Sequence, residues 1–111
     1  MGIANSSLSV MNNLDQSGIK ALYLLLADDF VEAKELPALP GGLDFLVVQT
    51  SCLSSLARKA DIVLPSPTWT EISGDYSTLD GSPISVSRLV KPPEGVRTDW
   101  ETINEIAKRF K

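Results

Sequence analysis

The chain has 111 residues, 43% of them hydrophobic, a formal net charge of −4, no histidine and a single cysteine, Cys52. That length supports one modest core with little left for a second lobe. The composition excludes Cys/His zinc sites, iron–sulfur ligation, Ser-His-Asp triads and intrachain disulfides within this chain, and the acidic balance argues against a nucleic-acid or anionic-membrane surface.

No run approaches the roughly 18 apolar residues of a membrane span, so no direct membrane insertion is expected. Gly2 and Ser6 loosely match a myristoylation pattern, but a plain start without a signal peptide is the better reading. The lone thiol fits a reducing, cytoplasmic setting.

Residues 1–18 read as a polar lead-in, in which Leu8, Met11 and Leu14 at helical spacing allow a turn or two of helix before Gly18. A single α/β domain is expected over 19–111. It opens with IKALYLLLA (19–27), a strand buried on both faces of a parallel sheet. Asp28 or Asp29 then caps a short helix over 30–36, broken by Pro37 and Pro40-Gly41-Gly42. FLVVQT (45–50) reads as a second buried strand and SCLSSLARKA (51–60) as a helix with Leu53, Leu56, Ala57 and Ala60 on one face. The third strand follows at 61–64. Two strand–helix–strand units in succession predict a three-layer, Rossmann-like α/β fold: an open parallel sheet of at least three strands with helices on both faces.

The stretch ADIVLPSPTWTEISGDYSTLDG (60–81) carries the third strand out into a loop and a hairpin. Pro65 closes the strand, since it has no N–H for a ladder. Asp80-Gly81 suits a turn in which both central residues have positive φ. A β-hairpin arm is expected between 76–79 and 83–90, with Ile84, Val86 and Val90 facing inward. Thr98 with Glu101 forms a capping box for the last helix, whose apolar face carries Trp100, Ile103, Ile106, Ala107 and Phe110.

In open parallel sheets, ligands sit beyond the carboxyl ends of the strands. Here that rim collects Asp28, Asp29, Gln49, Thr50, Ser51, Pro65, Ser66 and Thr68. Thr50-Ser51 also opens the expected second helix, whose amides suit a phosphate or carboxylate. The plainer alternative is that these residues only cap helices. A receiver domain would need an Asp ending the second strand and a Lys beyond the third, and neither is present. Glu71 lacks a partner acid or base and is expected to bind backbone amides and hold the loop to the hairpin; Trp69 is expected to cover the core and Cys52 to pack in it.

ADIVLP (60–65), followed by Glu71, Gly74, Tyr76 and Gly81, resembles the molybdopterin oxidoreductase family, which includes formate dehydrogenases, nitrate reductases and the large iron–sulfur subunit of respiratory NADH dehydrogenase. The resemblance extends over IKALYLLLADD, FLVVQTSCLSSLARKADIVLP and PPEGVRTDWETINEIAKRF, roughly residues 19–110. It implies one α/β portion of a larger oxidoreductase subunit, with other domains or subunits of a redox complex as partners, the parent being attached to the membrane through other subunits. It implies no cofactor in this chain alone and molybdopterin guanine dinucleotide in the parent, with Asp28, Asp29, Gln49, Thr50 and Ser51 toward it. The family's hairpin turn commonly reads Asn-x-Glu-Gly-Arg, a residue, then Gln; here those places hold Thr78, Asp80, Gly81, Ser82 and Ile84. The lost polar groups favour a non-catalytic, cofactor-free branch like the NADH dehydrogenase subunit. The alternatives are a dinucleotide-holding part of a molybdenum or tungsten enzyme such as formate dehydrogenase, and a stand-alone interaction module.

Overall fold

The computed structural model describes residues 18–26 and 39–110. The lead-in, the capping of a first helix by Asp28 or Asp29, and that helix itself lie outside these residues. Three parallel strands, β1 (Ala21–Leu25), β2 (Phe45–Thr50) and β3 (Ile62–Pro65), lie side by side in chain order. Leu24 stands opposite Val48, and Val48 opposite Val63. The parallel α/β sheet is as the apolar runs predict.

Burial is less even than the sequence suggests. Only the central strand β2 is deeply buried: Leu46 and Val48 meet Ala57, with Leu22, Leu24, Leu26, Leu39 and Ala60 around them. β1 alternates between half-buried and exposed residues, and β3 is largely exposed. Over its described part, Ala21–Leu25, the first strand is therefore not buried on both faces as expected. An apolar run reports that a strand can be buried, whereas its place in the sheet decides whether it is.

The expected helix over 51–60 shrinks to one 3₁₀ turn at Ala57–Lys59. Thr50 Oγ1 accepts from the Cys52 N–H at 3.3 Å, as an N-cap would. Ser54 Oγ, however, accepts from the Ala57 N–H at 3.2 Å, an amide that a continuous helix would give to the Leu53 carbonyl. The crossover closes where Asp61 pairs twice with Leu46. Its N–H donates to the Leu46 carbonyl at 2.9 Å, and its Oδ2 accepts from the Leu46 N–H at 2.8 Å. Among the described residues the only α-helix is α1 (Asp99–Arg109), so helices on both faces are not seen there.

The hairpin is shorter than predicted, pairing β4 (Gly74–Ser77) with β5 (Pro83–Val86) antiparallel. Ile84 does not face inward but is 50% exposed, and no layer among the described residues covers this two-stranded ribbon. In the turn only Gly81 has positive φ, +85°. The Gly81 N–H donates to the Thr78 carbonyl at 2.9 Å and the Thr78 N–H to the Ser82 carbonyl at 3.0 Å. This is the three-residue loop with a glycine bulge rather than a two-residue turn, and it relieves Asp80 of a left-handed conformation.

α1 begins where the capping box places it. The Glu101 N–H donates to Thr98 Oγ1 at 3.3 Å, and the Thr98 N–H to Glu101 Oε2 at 2.9 Å. Its apolar stripe is only partly covered, however. Trp100 is 72% and Phe110 86% exposed.

Candidate functional site

Four polar side chains from four parts of the chain converge beside the carboxyl end of β2. Gln49, next to the last residue of that strand, is wholly buried. Its Nε2 donates to Oδ1 of Asp99, the first residue of α1, at 2.7 Å. The Ser66 hydroxyl, one residue beyond β3, donates to the same oxygen. From β1, the Tyr23 hydroxyl donates to Gln49 Oε1. Burial and, secondarily, the negative charge of Asp99 raise the Tyr23 pKa above its ordinary value of 10.0. Thr50 is also buried; its hydroxyl bonds the Cys52 backbone, and its carbonyl accepts from the Ser66 N–H at 3.0 Å.

Of the five sequence candidates, the structure thus brings Gln49 and Thr50 to the strand end but turns both inward. Ser51 is half-buried beside them, while Asp28 and Asp29 lie outside the described residues. Ser66 belongs to the predicted rim. Tyr23 and Asp99 were not legible as partners of Gln49: Tyr23 reads as one more apolar-run residue, and Asp99 as an ordinary acidic residue in a helix's first turn. Glu71 caps its own 3₁₀ turn, accepting from the Thr68 N–H at 2.8 Å, and is held locally rather than to the hairpin. Trp69 is 57% exposed and does not cover the core. No group of three acidic or cysteine side chains among the described residues is arranged for a metal ion.

Among the described residues, the sheet face opposite the core is covered by α1 alone and only in part. Between it and α1 runs an apolar groove of about 720 Å³, lined chiefly by Tyr23, Phe45, Val47 and Ile62 from the strands and Ile103 and Phe110 from the helix. No helix among the described residues is long and apolar enough to cross a membrane.

The profile for molybdopterin oxidoreductase matches residues 2–109. The chain belongs to the molybdopterin oxidoreductase family. It is 33% identical, over 96% of its length, to the F420-dependent formate dehydrogenase subunit alpha of Methanocaldococcus jannaschii, covering 16% of that protein. It is 36% identical over 85% of its length to an NADH-quinone oxidoreductase subunit from Rickettsia typhi, covering 13%. The NADPH-Fe(3+) oxidoreductase subunit alpha of Geobacter sulfurreducens is 30% identical over 91% of the chain, which covers 12% of it. The chain therefore spans less than one fifth of the length of these relatives.

Members of this family are associated with molybdopterin, and of the candidates for it the side chains of Gln49 and Thr50 do not fit a seat for that group. Gln49 is 0% and Thr50 5% exposed, and both side chains are hydrogen-bonded within the chain. A ligand seat would need polar atoms left over for the ligand. Here Gln49 and Thr50 spend theirs on the chain itself.

Proposed function

We propose that this chain is a non-catalytic α/β segment of an oxidoreductase subunit, akin in role to the large iron–sulfur subunit of NADH dehydrogenase, and that it supports electron transfer structurally. The observation that carries this reading is the open apolar face. A parallel sheet is ordinarily covered on both sides, and contiguous exposed apolar surface of this kind marks an interface. Its partners are then other parts of a redox complex that pack against Phe45, Ile62 and the apolar side of α1. The complex is cytoplasmic, with any membrane attachment supplied by other subunits.

The test places Phe45→Ser together with Ile62→Ser in the full-length parent subunit and measures assembly by size-exclusion chromatography. Loss of assembly, with the isolated chain still folded, is expected; assembly at the unsubstituted level would overturn the reading. The isolated chain should show no dye reduction with formate or NADH.

The match to a formate dehydrogenase subunit over 96% of the chain favours a second reading, that of a part holding pterin guanine dinucleotide in a molybdenum or tungsten enzyme. Under it, Asp28, Asp29 and Ser51 remain to meet the dinucleotide.

A further inference from the structure

We infer that Gln49, Asp99, Ser66 and Tyr23 form an internal latch that docks the start of α1 onto the sheet, and that this latch occupies the strand-end position where the family resemblance seats a dinucleotide. Three observations carry it. First, α1 is poorly held by apolar packing, with Ile103 43% and Phe110 86% exposed and none of its residues buried. Second, its first residue is nevertheless tied to two separate elements, since Gln49 of β2 and Ser66 beyond β3 both donate to Asp99 Oδ1. Hydrogen bonds to a carboxylate are roughly twice as strong as neutral ones, and a carboxylate in the first turn is also favoured by the helix dipole. Third, both ends of the Gln49 amide are engaged, its oxygen by Tyr23 and its nitrogen by Asp99.

The consequence is exclusive. While α1 is docked, Gln49 is sealed beneath it and offers nothing to a nucleobase or phosphate. Its removal from either partner strands a buried polar group, which costs more than the bond itself contributes. The inference goes beyond the reading above, since the latch stands whatever covers the apolar groove.

The experiment is a double-mutant cycle on the 111-residue chain, with Gln49→Ala, Asp99→Ala and both together, followed by thermal denaturation. Each single change is expected to lower the midpoint, and the double change to lower it no further than the worse single. Strictly additive losses would overturn the latch. Should Gln49→Ala fail to fold, Ser66→Ala with amide hydrogen exchange serves instead. Faster exchange over α1 with β2 still protected supports the latch; unchanged exchange in α1 overturns it. A titration of the unsubstituted chain with millimolar GDP, followed by NMR, tests the exclusion. No shift at the Gln49 or Thr50 amides is expected, and a saturating shift there would overturn it. Failure of the partner reading shows instead in the assembly of the parent subunit, so the two remain separable.

Discussion

On one face of the sheet Leu46 and Val48 are 5% and 0% exposed; on the other, Phe45 and Ile62 are 43% and 44% exposed. Phe45 and Leu46 are neighbours in the same strand, and both are large and apolar. Strand alternation sends them to opposite faces, and what lies above each face does the rest. The covered face meets Ala57 and its surrounding leucines. Among the described residues the open face meets one helix, latched at its start and loose along its stripe. Hydrophobicity thus marks surface that is to be buried, without saying by what.

The sharpest way to break this comparison is truncation on each face. Leu46→Ala should cost about 2–4 kcal/mol by denaturant unfolding, as buried leucines do. Phe45→Ala in the isolated chain should cost less than about 1 kcal/mol, because nearly half of that side chain already meets water. Equal losses would erase the distinction between the faces.

The helix on the open face offers a smaller effect. Thr98→Ala should cost about 1 kcal/mol, the usual worth of a hydroxyl N-cap. The Thr98 backbone N–H, and then its hydroxyl, hold the Glu101 carboxyl below its ordinary 4.5. Because the folded pKa is depressed, this contribution is present above 4.5 and is lost as pH falls through the lowered value. In Thr98→Ala the Glu101 pKa should move up toward 4.5, read by NMR titration.

Tyr23 reports the opposite limb. Its folded pKa lies above 10.0, so its contribution is complete below 10.0 and fades as pH rises through the folded value. Tyr23→Phe should remove that alkaline limb from the stability profile; an unchanged limb would detach Tyr23 from Gln49. The smallest effect belongs to the exposed Lys20–Asp44 pair at 3.6 Å. Asp44→Ala should change stability by less than about 0.5 kcal/mol in a denaturant melt.

Much of the local structure was legible in the sequence. The apolar runs mark the strands, and Thr98 with Glu101 marks the start of α1, because these signals act over a few residues. The 51–60 crossover departs from the helical spacing of Leu53, Leu56 and Ala57 because Ser54 Oγ takes the Ala57 N–H that a helix would give to Leu53. Strand burial misled because a sequence does not state which strand is central. The site was half legible: Gln49, Thr50 and Ser66 stand at the strand ends as the α/β pattern dictates. Asp99 carries no mark of its partner, since Gln49 lies fifty positions earlier and long-range pairing of one amide with one carboxylate leaves no periodicity.

The double pairing of Asp61 with Leu46 bears on the order in which the chain assembles. It joins residues fifteen apart and brings β3 against β2 through a short loop. β1 reaches β2 only across a longer connection, and closing a longer loop costs more entropy. The β2–β3 pair should therefore form before β1 is added. In folding kinetics Val63→Ala should slow folding, whereas Leu22→Ala should mainly speed unfolding. The reverse pattern would place the nucleus at β1.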